Sequence, residues 1–126
     1  MSNTLHAHLV FVTKYRRRVF TKKVLQELHG IFEEVCVDFG GTLVECDGEY
    51  DHVHLLVNYP PTVSLSRLIN SLKGVSSRMI RKAGYPAIQK ALWGKSLWSP
   101  SYFVGSCGGA SLDVIKLYIE SQATPQ

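Results

Sequence analysis

The order in which the hydrophobic period changes along the chain limits the possible folds more than any single residue does. Leu5 to Thr13 alternates and is rich in Leu, Val and Phe. Thr42 to Cys46, Val53 to Asn58 and the aromatic-rich Trp98 to Val104 also read as strands. Between them, Leu25, Leu28, Phe32, Val35 and Phe39 recur at helical spacing, as do Leu65, Leu68, Ile69, Leu72, Met79 and Ile80. Strand, helix, strand, strand, helix, strand and then a further helix predict an α+β, ferredoxin-like (RRM-like) βαββαβ fold. Its antiparallel sheet carries helices on one face and an added C-terminal helix bearing a tyrosine. No repeat, linker or low-complexity segment intervenes, and 126 residues fit a single domain, residues 1–126.

Punctuation residues set the expected bounds. Thr21 can cap the first helix and Gly40-Gly41 can stop it. Asp47-Gly48 suits the turn between the second and third strands. Pro60-Pro61 ends the third strand and Ser64 caps a helix running to about Lys82, with Arg67, Ser71, Gly74, Arg78 and Arg81 along its polar face. Tyr85-Pro86 breaks that helix, and a poorly patterned stretch follows. Gly105, Gly108 and Gly109 end the fourth strand, and Ser111 caps a last helix through Gln122.

Charge is segregated along the chain. The net charge is +4 and the isoelectric point about 9.1. Before Glu27 there is no acid, while Lys14, Arg16, Arg17, Arg18, Lys22 and Lys23 cluster there. Eight acids and no Lys or Arg fill Glu27 to Asp51. From His52 to Leu112 there is again no acid, but Arg67, Lys73, Arg78, Arg81, Lys82, Lys90 and Lys95 occur. Separate basic blocks suit a surface that binds a polyanion, whereas charge kept only for solubility intersperses both signs. The apolar runs fall far short of the ~20 residues of a membrane span and Met1–Leu5 lacks a signal-peptide form, so no membrane partner and a cytoplasmic location are expected. Cys36, Cys46 and Cys107 are odd in number and form no CxxC pair. That suits a reducing compartment and packing roles rather than a cysteine-built zinc site.

Two constellations carry possible chemistry. On a strand, alternate side chains share a face, so His52 and His54 project together and could start a cation site. A strand HxH also arises as exposed or hydrogen-bonded histidines; His6 and His8 repeat it with no third ligand or nucleophile in view. Tyr118 and Gln122 stand one helical turn apart, roughly 6 Å, on one face. A Gln oxygen can complete a two-histidine site, although an interfacial Tyr with a solvated Gln is the commoner outcome. Nitrogen and neutral oxygen ligands without thiolate suit octahedral Mg²⁺ or Mn²⁺ rather than structural Zn²⁺.

Further motifs stand in order along the chain: Thr13-Lys14-Tyr15-Arg16-Arg17, the His52-Val53-His54 run after an acidic turn, and Ser71-Leu72-Lys73-Gly74-Val75-Ser76-Ser77-Arg78. Leu92-Trp93-Gly94, Trp98-Ser99-Pro100-Ser101-Tyr102-Phe103-Val104-Gly105-Ser106 and Tyr118-Ile119-Glu120-Ser121-Gln122 follow. Together they resemble the small single-tyrosine HUH transposases of insertion sequences that move as single-stranded DNA. The resemblance spans nearly the whole chain. It implies a Mg²⁺-dependent, homodimeric nuclease and strand-transferase that recognises DNA hairpins at element ends, with Tyr118 acting in trans beside the histidines of a second subunit.

On that reading His52, His54 and Gln122 hold Mg²⁺ or Mn²⁺, and Tyr118 attacks a phosphodiester of single-stranded DNA. A 5′-phosphotyrosyl link then keeps the bond energy for rejoining. Lys14, Arg16, Arg17, Arg18, Arg67, Lys73, Arg78 and Arg81 are the expected DNA contacts, with Gly74 permitting close backbone approach. Trp98, Tyr102 and Phe103 can stack on unpaired bases, though strand aromatics more often pack in a core. Two rivals share features of the sequence. A non-catalytic RNA-binding module of the same strand order explains charge and aromatics but not HxH together with Tyr-x-x-x-Gln. A two-histidine phosphoesterase needs Tyr118 only for packing.

Overall fold

In the computed structural model, which describes residues 4–92, 96–105 and 112–123, the chain forms a four-stranded antiparallel sheet in the order β2-β3-β1-β4. Strand β1 (Leu5–Val12) leads through a 3₁₀ turn at Lys14–Arg16 to helix α1 (Lys22–Asp38). Strands β2 (Thr42–Glu49) and β3 (His52–Tyr59) follow, then α2 (Leu65–Lys82), α3 (Pro86–Leu92), β4 (Phe103–Gly105) and α4 (Leu112–Ser121). The α+β expectation and its sequence of strands and helices hold, with α3 as an addition. Trp93-Gly94, Ser106, Cys107, Gly108, Gly109 and the expected cap Ser111 lie outside the described residues.

The strand alternation separates two apolar layers. Ala7, Leu9 and Phe11 of β1 and Val53, Leu55 and Val57 of β3 face α1 and α2. There they join Leu28, Phe32, Leu68, Leu72 and Ile80 in the main core. Val10 and Val12 point the other way and pack against Ile115 and Ile119 of α4. Helices therefore cover both faces, the paired βα helices on one and the tyrosine helix on the other. Trp98, Phe11, Phe20 and Phe32 form an aromatic cluster within the main core, and Trp98 Nε1 donates to Ser76 Oγ at 2.9 Å. Trp98 is thus a core residue and not a stacking platform.

Most capping expectations hold. Thr21 Oγ1 accepts from Val24 N at 3.2 Å and Ser64 Oγ from Arg67 N at 3.4 Å. Gly40 takes φ 80° just past α1, a left-handed conformation that glycine adopts without a Cβ clash. Cys36 and Cys46 are packed thiols whose pKa burial pushes up to about 11.

Four local expectations need correction. Glu49 pairs with His52, so Tyr50 and Asp51 make the β2–β3 turn, while Asp47 and Gly48 lie inside β2 opposite His54 and Val53. A bulge at Val44 and the anchoring of Asp51 move the turn; Gly48 serves packing instead, since a Cβ there would sit 2.6 Å from Leu25 Cδ2. Met79 is 48% exposed, and the inward position is Ser76, four residues from both Leu72 and Ile80. The poorly patterned stretch contains α3, anchored by Ile88 and Leu92. The fourth strand is shorter than Trp98 to Val104: Trp98 makes an isolated bridge to Thr13, and the regular ladder begins only at Phe103. No helix among the described residues is long and apolar enough to cross a membrane.

Candidate active site

Register places the histidines. Val12 pairs with His52 and Val10 with His54, and directly opposed residues share a face. Both imidazoles therefore lie on the face that α4 crosses, away from the main core. His52 Nδ1 is 2.8 Å from Asp51 Oδ1, and Asp51, only 1% exposed, also accepts from Arg16 Nε through Oδ2 at 2.9 Å. The Asp51 carbonyl takes Thr13 N at 2.9 Å and Thr13 Oγ1 at 3.1 Å, so the turn is held from two sides. Binding Nδ1 leaves His52 Nε2 for other partners, with Glu49 Oε2 at 3.8 Å.

His54 is the more telling residue. Among the described residues its Nε2 is buried with no hydrogen-bond partner, which is costly unless something beyond them satisfies it. Burial, then the neighbouring His8, holds its pKa below the usual histidine value, favouring the neutral imidazole that can ligate a cation. The His8 ring stands edge-on to it at 5.1 Å, and His6 bonds Asn58. Among the described residues no group of three or more His, Cys, Asp or Glu has metal-holding geometry.

Tyr118 and Gln122 meet a different set of residues. The Tyr118 hydroxyl is 2.8 Å from Ser101 Oγ, and its ring lies 5.9 Å from Phe103. Gln122, 7% exposed, accepts through Oε1 from Ser101 Oγ at 3.0 Å and from Ser99 Oγ. Burial raises the pKa of Tyr118, and the Ser101 bond only partly opposes it. Neither side chain bonds His52 or His54 among the described residues. The sheet explains the gap: Phe103 pairs with Val10, which pairs with His54, so Phe103 and His54 are two strand spacings apart, roughly 10 Å. The fold brings the two histidines together and the Tyr–Gln pair together, on one face, but offset.

The expected DNA contacts divide. Arg17 and Arg18 line a cleft of about 520 Å³ with Tyr15, and Lys14 and Arg17 lie over the Tyr15 ring at 5.7 and 6.0 Å. Arg18 lies 4.7 Å over Tyr50. Arg67 and Arg78 are exposed on α2, with Arg81 half-buried. At Gly74, among the described residues, an added Cβ would meet only Arg78 Nη1, at 3.9 Å. Arg16 is committed to Asp51, and Tyr15 and Arg16 both take left-handed φ, 58° and 57°, to bring it there. Lys73 Nζ is committed to the carbonyls of Ser99, Pro100 and Ser101. Sequence reasoning missed Asp51, Ser99 and Ser101. The acid directly before the HxH was the available signal for Asp51, and nothing in sequence spacing ties the serines to Tyr118.

Comparison with known proteins gives the family. The model described as Transposase IS200 like matches residues 1–122. The ISDra2 transposase TnpA of Deinococcus radiodurans is 34% identical over 118 residues, 94% of this chain and 84% of that protein. The transposase for insertion sequence element IS200 of Salmonella typhimurium is 29% identical over 101 residues, 80% of this chain and 66% of the relative. Among solved structures, a crystal structure of a Deinococcus radiodurans R1 chain superposes with a TM-score of 0.87 at 32% identity, covering 99% of this chain and 95% of that one. The REP-associated tyrosine transposase bound to a REP hairpin shares the fold at a TM-score of 0.59 and 12% identity, over 95% of this chain and 64% of that one. With a family match over residues 1–122 and a transposase 34% identical across 94% of this chain, the chain belongs to the IS200-like transposase family.

Proposed function

We propose that this transposase cleaves and rejoins single-stranded DNA through Tyr118, at a divalent-cation site formed by His52, His54 and Gln122. The observation that carries the reading is the buried Nε2 of His54, without a partner among the described residues, beside a His52 whose Nδ1 is held by Asp51, on the face crossed by the tyrosine helix. An imidazole oriented by a carboxylate and a second with an unsatisfied nitrogen fit a metal-ligand pair. Gln122 Oε1 would supply a neutral oxygen on exchanging one of its two serine hydrogen bonds for the cation, and the donor set suits Mg²⁺ or Mn²⁺. Such a cation, when bound, neutralises and orients the scissile phosphate.

The protein's own residues do the rest. Tyr118 Oη attacks phosphorus, the bond to the 3′ oxygen breaks with its electron pair, and that oxygen leaves as a 3′-hydroxyl after taking a proton. The 5′-phosphotyrosyl link conserves the bond energy, so an incoming 3′-hydroxyl can displace Tyr118 and join strands without ATP. Asp51 keeps His52 in one tautomer. Arg17, Arg18, Arg67 and Arg78 are exposed or line a cleft, as phosphate contacts require.

The offset between Tyr118 and the histidines supports a composite site, in which α4 of one subunit serves the histidines of a second. Leu117, 67% exposed on α4, and Val104, 41% exposed on the edge strand β4, offer apolar surface for that second copy. The REP-associated neighbour is bound to a hairpin, which makes a DNA hairpin the natural first substrate.

The test is incubation with hairpin-bearing single-stranded DNA and Mg²⁺, followed by a search for a denaturant-resistant protein–DNA adduct. Tyr118→Phe should bind DNA and form none. Cleavage without an adduct would indicate a hydrolytic phosphoesterase, and binding without cleavage a nucleic-acid-binding module.

A further inference from the structure

Three consecutive carbonyls converge on one ammonium. Lys73 Nζ, on α2, lies 2.8 Å from Ser99 O, 3.3 Å from Pro100 O and 3.0 Å from Ser101 O. An ammonium has three N–H donors and no acceptor, so this set uses all of them. The segment is the irregular stretch between the Trp98 bridge and β4, so among the described residues its carbonyls pair with no strand. Its hydroxyls hold the chemistry-bearing helix: Ser101 bonds both Tyr118 and Gln122, and Ser99 bonds Gln122. Lys73 makes no ion pair among the described residues, and the Tyr102 ring lies 5.5 Å from its Nζ.

We propose that Lys73 is a positioning residue that acts through the Ser99–Ser101 segment to set the place of Tyr118 and Gln122, and is not a phosphate contact. The inference rests on the proposed tyrosine chemistry for its activity readout. Its structural part stands on the lysine and serine contacts alone. A phosphate contact would have to give up three hydrogen bonds to carbonyls that then lose their partner. Lys73 is half-buried, and burial lowers its pKa, as for an ammonium partly withdrawn from solvent onto its three carbonyls. Lys73 also joins the two faces of the molecule, since α2 packs in the main core and α4 on the opposite face of the sheet.

Lys73→Met in the full chain tests the proposal by three measurements. Amide hydrogen exchange should quicken on the order of ten-fold in residues 99–105 and α4 while α1 and β1–β3 keep their protection. The salt dependence of binding to hairpin-bearing single-stranded DNA should keep its slope, whereas loss of a phosphate contact would reduce it by about 0.7. At saturating DNA, adduct formation should slow between about ten- and a hundred-fold. Ser99→Ala combined with Ser101→Ala should slow it similarly, and adding Lys73→Met should bring no further loss. Lys73→Gln, which retains an amide donor, should recover part of the rate, and it replaces Lys73→Met if that variant does not fold. A reduced salt slope with unchanged exchange in α4 overturns the proposal, as does full additivity with the serine changes. Absence of an adduct in the unaltered protein would sink the tyrosine chemistry instead, and the exchange measurement would still decide what Lys73 does.

Discussion

Asp51 shows how much one buried carboxylate can organise. It joins the His52 imidazole, the Arg16 guanidinium and, through its carbonyl, the end of β1. Asp51→Asn removes the charge that pairs with Arg16 and one acceptor lone-pair set. It should lower unfolding stability by about 1–3 kcal/mol in urea melts. The same change should slow adduct formation by roughly ten- to a hundred-fold, because His52 loses the partner that fixes its tautomer. Tyr118 poses the converse problem, since burial disfavours its phenolate. In the free protein it should titrate above the ordinary tyrosine value, read as the ultraviolet difference between the unaltered chain and Tyr118→Phe. Ser101→Ala should move it higher still, because that hydrogen bond favours the phenolate. The sign for stability follows: a raised acid pKa in the folded state contributes stability below the unfolded value, and this is lost as pH rises through the folded one. An ordinary value near 10 or lower would contradict the burial argument.

The elements differ in what holds them. Helices α1 and α2 bury broad apolar faces against the sheet, while α4 rests on Ile115 and Ile119 over Val10 and Val12. Leu55→Ala in the main core should cost about 2–5 kcal/mol of global stability. Ile115→Ala with Ile119→Ala should cost less in urea melts, yet lose adduct formation, because the tyrosine helix comes loose first. Equal losses of stability in both variants would show α4 to be part of one cooperative core. The existence and type of the long elements were legible because periods of 2 and 3.6 over eight or more residues come from burial itself. The β2–β3 turn was misplaced because Asp47-Gly48 has turn chemistry, but the pairing is set by a bulge at Val44 and by the anchored Asp51. Likewise α3 is held by two residues, Ile88 and Leu92, too few to make a periodic signal.

Across the whole molecule, charge and fold agree. The acid-free block before Glu27 yields Arg17 and Arg18 at an open cleft, and the second yields Arg67 and Arg78 on α2. Affinity for hairpin-bearing single-stranded DNA should fall steeply with salt. Arg17→Ala with Arg18→Ala should reduce the log–log slope by about 1.4, two phosphates at ~0.7 each for a single strand. An unchanged slope would remove that cleft from the DNA path. By itself the sequence determined the βαββαβ order, the shared face of His52 and His54, the one-turn spacing of Tyr118 and Gln122, and the family these motifs belong to. The first three follow from local periodicity or from residues close in the chain, and the family from the resemblance its motifs carry. Only the tertiary structure decided that α4 crosses the histidine face, that Phe103, against which Tyr118 packs, stands two strands from His54, and that Arg16 and Lys73 bond Asp51 and three carbonyls. Those facts depend on strand order and on contacts between residues up to dozens of positions apart, and no local pattern in the sequence encodes which charge finds which partner.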